Sequence, residues 1–172
     1  MYEGEFRDGQ RHGKGKYVHQ NGDIFYEGEY QNDVINGKGR MTMFNGDVYE
    51  GDFLDGKRHG SGKYKVTDAK ECYTGEFDND MKHGQGKYEC SNGDYYEGRV
   101  AERCAMWSWK VLAQGKYEAK ELGETYQGTW NENKPDGMFT LTSCYDAENG
   151  EKKRITFNAE FQNNLLIVND KF

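Results

Sequence analysis

One short motif returns along this chain at a fixed interval, and that regularity limits the possible folds more than any other feature. Tyr2-Glu-Gly-Glu-Phe6 recurs as Tyr26-Glu-Gly-Glu-Tyr30, Tyr49-Glu-Gly-Asp-Phe53, Tyr73-Thr-Gly-Glu-Phe77, Tyr96-Glu-Gly-Arg-Val100 and Tyr126-Gln-Gly-Thr-Trp130. A decayed seventh copy reads Phe157-Asn-Ala-Glu-Phe161. A second signature follows the first four copies: Gly13-Lys-Gly-Lys-Tyr17, Gly37-Lys-Gly-Arg-Met41, Gly60-Ser-Gly-Lys-Tyr64 and Gly84-Gln-Gly-Lys-Tyr88. A period of about 23 residues held over several copies is the mark of a stacked repeat architecture.

Both signatures alternate with period two, so each unit reads as a β-hairpin. In the first strand Tyr2, Gly4 and Phe6 share a face and Glu3 and Glu5 the other; in the second, Gly13, Gly15 and Tyr17 are expected opposite Lys14 and Lys16. Asn21-Gly22-Asp23, Asn45-Gly46-Asp47 and Asn92-Gly93-Asp94 stand at the joins, where Asn-Gly suits a tight turn with positive φ. The extra residue of a 24-residue period is expected in a bulge near that turn. One face then pairs carboxylates with lysines across strands. The other sets rings against glycines, whose missing side chains leave sockets for them.

These residues resemble the MORN (membrane occupation and recognition nexus) repeat: Tyr-Glu-Gly-Glu-Phe, a short polar loop, then Gly-x-Gly-x-Tyr. The match is good over residues 2 to about 100, imperfect to about 139 and weak beyond. The resemblance implies an all-β fold, an elongated twisted antiparallel sheet of successive hairpins, single-layered and solenoid-like. It also implies protein association and scaffolding, often in cytoskeletal or ciliary assemblies, with a disputed attachment to phosphoinositides. The chain reads as one repeat domain over 1–172. Regular repeats fall at 2–25, 26–48, 49–72 and 73–95, divergent ones at 96–125 and 126–156, and a decayed C-terminal cap at 157–172.

Composition narrows the function classes. A mean hydropathy of -1.11 and a net charge of -7 point toward disorder taken alone, but 13 Tyr, 9 Phe and 3 Trp do not fit a disordered chain. No apolar run is long enough for a membrane-spanning helix, and the residues after Met1 show no basic-then-apolar leader pattern. Cys72, Cys90, Cys104 and Cys144 have no paired spacing and read as reduced thiols of a cytoplasmic protein. Gly13-Lys-Gly-Lys lacks the spacing and the helix of a phosphate-binding loop. His12, His59 and His83 occupy one repeat position, but stacked hairpins set them about 10 Å apart, too far to share a metal. No catalytic constellation, cofactor site or metal site emerges, so the chain is read as a non-enzyme.

Basic clusters, Arg11-His12, Lys57-Arg58-His59 and Lys82-His83, would line up along one edge and face a phosphoinositide membrane. Asp8, Asp55, Asp78 and Asp80 in the same loops, and the net negative charge, oppose that reading. Nucleic acid is excluded for want of an unpaired basic stripe. In the fifth copy Trp107-Ser-Trp109 stands where the second signature is due, and Lys110 to Thr125 makes a long join. Phe139 and Ala159 replace strand glycines further on. These bulky residues either cap the end of the core or dock a partner.

The expected function is a scaffold or adaptor, cytoskeleton- or cilium-associated, holding a helical or extended segment of a partner protein. Its expected contact surface is the ring face: Tyr2, Phe6, Tyr26, Tyr30, Tyr49, Phe53, Tyr73, Phe77 and Tyr96, with Trp107 and Trp109 at one end. The first strand offers an open edge for pairing with another chain, a second copy included, or with residues missing from this sequence. Anionic membrane is the alternative ligand.

Overall fold

The computed structural model describes residues 1–19, 24–100, 114–131, 134–146, 151–162 and 164–167. Every described element is a strand, and none is a helix. The first five hairpins are β1 (Tyr2–Arg7) with β2 (Gln10–Val18), β3 (Ile24–Gln31) with β4 (Val34–Thr42), β5 (Val48–Leu54) with β6 (Lys57–Val66), β7 (Glu71–Asp78) with β8 (Met81–Glu89), and β9 (Tyr95–Arg99) with β10 (Gln114–Ala119). Then come β11 (Glu124–Asn131), β12 (Lys134–Asp146), β13 (Lys152–Gln162) and β14 (Leu165–Ile167). They form one 14-stranded antiparallel sheet in sequence order, so each strand pairs only with its chain neighbours. This is the all-β, single-layer sheet of successive hairpins that the repeat foretells.

The register stacks glycine on glycine. Gly4 faces Gly15, Gly15 faces Gly28, and the row continues through Gly39, Gly51, Gly62, Gly75, Gly86, Gly98 and Gly115 to Gly128. On one side of this row the leading tyrosine of each of the first five repeats lies over it. A Cβ on Gly62 would run into the ring and hydroxyl of Tyr49, and Gly15, Gly39, Gly86 and Gly115 stand likewise under Tyr2, Tyr26, Tyr73 and Tyr96. The sockets exist. Their rings interlock edge to face: Tyr49 lies 5.0 Å from Phe53 and 5.0 Å from Phe77 of the next repeat.

Only one glycine of the second signature is a socket. The register slips just after Gly4, Gly28, Gly51 and Gly75, and the residues opposite the slips, Gly13, Gly37, Gly60 and Gly84, have positive φ. They are bulge glycines. The space beside them is filled from the other side, by the carboxylates of Glu5, Glu29, Asp52 and Glu76. The Glu5 carboxylate accepts from the Lys14 amide at 3.0 Å and that of Asp52 from the Ser61 amide at 3.1 Å. This corrects the expectation that Gly13 shares the ring face with Gly15. A bulge breaks strict alternation, and the second acidic residue of the motif is there to cap it.

The fifth repeat also differs from expectation. Its second strand is Gln114–Ala119, with Gly115 in the glycine row and Tyr117 opposite Tyr96. The additional residues therefore fall inside this hairpin, not in the join after it. Gly115 is the residue paired with Gly98 in the row, and Trp107 and Trp109 lie outside the described residues. At Phe139 the row ends: its ring stands against Gly128, and Phe139, Leu141 and Ala159 form a small core with Trp130, Tyr126 and Phe161. These residues fill the end of the sheet.

Candidate binding surfaces

The leading tyrosine of each of the first five repeats is fixed at both ends. Its ring covers the glycine row, and its hydroxyl donates to the carbonyl three residues on, within the bulge: Tyr26 to Glu29 at 3.0 Å, Tyr49 to Asp52 at 2.9 Å and Tyr73 to Glu76 at 3.2 Å. Phenylalanine cannot do this, which is why the first position is tyrosine in these repeats while the fifth alternates between Phe and Tyr. Burial pushes the Tyr96 phenol up to about 12 and those of Tyr26, Tyr49 and Tyr64 further still.

The ring face is consequently a core. Tyr26, Tyr30, Tyr49, Phe53, Tyr73, Phe77 and Tyr96 are all buried, with Tyr26 and Tyr49 at 0% exposure. Of the expected contact residues among the described ones, Tyr2 is half-buried and Phe6 is 63% exposed. This corrects the picture of an open aromatic groove: the rings fill it themselves.

The hairpin loops latch to one another. Arg11 donates from Nε and its backbone amide to the Asp33 carboxylate, at 3.0 and 2.9 Å, and from its second guanidinium nitrogen to the Asp33 carbonyl at 2.6 Å. Arg58 and Asp80 repeat the arrangement with the same distances within 0.1 Å. Both guanidinium groups also lie over rings, that of Arg11 over Tyr2 and Tyr30 and that of Arg58 over Tyr49, Tyr64 and Phe77. Between them Ile35 meets Gly56 through backbone alone, the Gly56 amide donating to the Ile35 carbonyl at 2.9 Å. Arg58 and Lys82 are buried, so the expected basic edge is largely spent on internal structure.

The joins carry a second latch. The Asp47 carboxylate accepts from the Tyr64 hydroxyl at 2.6 Å, the Thr67 amide at 3.0 Å and the Asn45 side chain at 2.8 Å. Asp94 receives Tyr117 at 2.7 Å and the Lys120 amide at 2.8 Å in the same way. Gly46 and Gly93 take the positive φ expected of the Asn-Gly turns, at 83° and 87°. In the first join the register slips between Tyr17 and Val18, where the longer period asks for a bulge. The longer period from Tyr49 to Tyr73 is absorbed without one, in turn residues 67–70.

The open surface is the charged face. Residues on either side of each row glycine point to this face while the row position points away, so a trough runs over the glycine row. Its first part, about 850 Å³, lies among Glu3, Lys14, Lys16, Glu27, Glu29, Lys38, Arg40 and Glu50. It continues from Glu50 past Lys63 and Glu76 to Gln85, and from Gln85 past Glu97, Gln114, Lys116 and Gln127 to Met138 and Thr140. Carboxylates face cations across every early joint: Glu3 with Lys16, Glu27 with Lys16 and Arg40, and Glu50 with Arg40 and Lys63. The Lys38 ammonium sits 2.7 Å from Asp52, which holds that carboxyl below its ordinary range. Toward the C-terminus the walls become neutral, and Thr142 meets Thr156 at 3.0 Å.

His59 approaches Asp78 at 3.4 Å, and no group of three potential metal ligands occurs among the described residues. Cys72, Cys90 and Cys144 are free thiols, and burial pushes that of Cys90 up.

The family model of the MORN repeat matches residues 2–24, 26–48, 49–67, 73–95 and 126–138, more than half of the chain. The chain belongs to the MORN repeat family. The stretch between the last two matches holds the fifth MORN hairpin, in which the usual spacing is lost although Gly98 and Gly115 keep their places in the row. No curated protein sequence matches the chain. Among solved structures it is similar, at 18% identity over 83% of each chain and with a TM-score of 0.36, to the SAS-4 (dCPAP) TCP domain in complex with a proline-rich motif of Ana2 (dSTIL) of Drosophila melanogaster.

Proposed function

We propose that this MORN sheet is a non-catalytic scaffold or adaptor that binds a partner protein along its charged face, over the glycine row. The observation that carries this reading is the division of labour between the faces: the rings are consumed as core, while the opposite trough stays open from Glu3 to Thr140. Its walls alternate in sign at the N-terminal end and become uncharged toward the other, which favours a long helical or extended segment of matching polarity over a small molecule. Tyr2 and Phe6 on the first strand, and Trp107 and Trp109 of the fifth repeat, are the members of the aromatic set proposed to add contacts. A cytoplasmic setting in a cytoskeletal or ciliary assembly rests on the family resemblance alone.

The test is partner capture from the source cell, with partner identification, by chains altered on one face at a time. Glu27→Lys and Arg40→Glu variants that keep the parent melting temperature should lose the partner, whereas Phe44→Ser should not. Full retention by the trough variants would contradict the reading. Vesicle sedimentation discriminates the alternative ligand: salt-sensitive binding to phosphoinositide vesicles, surviving the trough changes, would favour a membrane-targeting module.

A further inference from the structure

β1 has one neighbour among the described residues, and the inner joints of the sheet spell out what its outer edge lacks. Where β4 meets β5, Lys38 faces Asp52, Gly39 faces Gly51 and Arg40 faces Glu50. Where β2 meets β3, Lys14 faces Glu29, Gly15 faces Gly28 and Lys16 faces Glu27. An acidic-Gly-acidic strand thus receives a basic-Gly-basic strand, glycine on glycine. β1 presents Glu3-Gly4-Glu5 on an edge with no neighbour among the described residues. The ring face is open at this end too, although its covers come from two strands away. Tyr30, Phe53 and Phe77 are covered by the leading tyrosine one repeat earlier, Tyr2, Tyr26 and Tyr49 in turn. Phe6 occupies the same position without such a cover and is 63% exposed, against 3–4% for those three.

A second copy is a poor occupant. Pairing β1 with its own copy, Gly4 on Gly4, sets Glu3 opposite Glu5 twice, and like charges directly across a joint are destabilising. The strands of a second copy that carry basic-Gly-basic sequence, β2 and β4, are already paired on both edges. We propose that the outer edge of β1 is a strand-addition site for another protein, selective for an extended segment of the pattern Gly-Lys/Arg-Gly-Lys/Arg-aromatic. The added strand runs antiparallel, its basic residues facing Glu3 and Glu5, its glycine on Gly4 and its aromatic end toward Tyr2. The site shares Glu3 with the N-terminal end of the trough, so it is read from amide exchange in Tyr2–Arg7 and not from partner capture.

The probe is a synthetic peptide with the sequence of β2, QRHGKGKYV, and a control in which both lysines are glutamate. Amide exchange of the whole chain is followed by mass spectrometry as each is titrated in. The lysine peptide should slow exchange in Tyr2–Arg7 and leave Gln10–Val18 unchanged, with the glutamate peptide binding more weakly by roughly threefold or more. Glu3→Lys, an exposed change, should reduce that preference by a similar factor. The proposal is overturned by equal binding of the two peptides, by an unchanged preference in Glu3→Lys, or by no added protection at saturating peptide. It is equally overturned by faster exchange in Gln10–Val18, which would mean displacement of β2, or by peptide-free dimerisation that protects Tyr2–Arg7.

Discussion

The Tyr49 hydroxyl donates to the Asp52 carbonyl at 2.9 Å, so the ring that covers the Gly51–Gly62 pair also satisfies the bulge behind it. The two halves of this arrangement separate by mutation. Tyr49→Phe keeps the ring and leaves the bulge carbonyl without its donor, a loss of about 1–2 kcal/mol in unfolding free energy. Gly62→Ala places a methyl group where the Tyr49 ring lies and should cost about 1–3 kcal/mol through overpacking. Urea denaturation of the two variants checks both numbers.

Glycine in the hairpin loop behaves differently. Gly56 has φ +77°, yet the equivalent residues Asp33 and Asp80 hold φ of 67° and 70° in the same turn. Gly56→Asp should therefore fold, and it supplies half of the missing latch. Ile35→Arg supplies the other half, after the pattern of Arg11 with Asp33 and Arg58 with Asp80. In a double-mutant cycle the pair should show favourable coupling of about 0.5–2 kcal/mol, even if Ile35→Arg alone loses apolar packing. Zero coupling would mean that the latch follows from the backbone geometry and does not contribute to it.

Much of this was legible in the chain. Strand periodicity, the hairpin order and the glycine sockets at Gly4 and Gly15 follow from the alternation of residue types. The role of Gly13 did not, because a bulge changes which way a residue points without changing what it is. The clue was the acidic residue after the row glycine, present as Glu5, Glu29, Asp52 and Glu76. The fifth hairpin was misplaced by holding to fixed spacing; Gln114-Gly-Lys-Tyr117 repeats Gln85-Gly-Lys-Tyr88 and marks the true strand. The loop latch was visible as a covarying pair within the chain, Arg with Asp twice and Ile with Gly once, but only after the hairpins are overlaid. Whether the ring face was open or filled depended on ring orientation, which no sequence pattern specifies.

Stability should fall on both sides of neutrality. Burial works to raise the Asp47 carboxyl, but Tyr64, Thr67 and Asn45 together hold it below its ordinary value. A depressed folded pKa stabilises fully above the unfolded value of about 3.9 and the gain is lost as pH falls through the folded value. Asp47→Asn should lose about 1–3 kcal/mol at neutral pH and show a shallower decline into acid, read from urea midpoints across that range. The buried phenols act in the opposite sense. Their folded values lie above the unfolded value of about 10, so their contribution is complete below that pH and is lost as pH rises toward 12 and beyond. Phenolate absorbance and circular dichroism should then change together for the buried set, while exposed phenols ionise first.

The central claim is that the ring face is a core and the charged face the open surface, and side-chain footprinting by hydroxyl radicals tests it most directly. Phe44 and Phe6, at 90% and 63% exposure, should oxidise fast in the native chain. Tyr26, Tyr49 and Tyr64, at 0–1%, should oxidise only at the rate at which the sheet opens, and keep that protection without any partner present. Oxidation of Tyr26 and Tyr49 at the rate of Phe44 would contradict the account: the ring face would then be an open groove, and the partner surface would belong there.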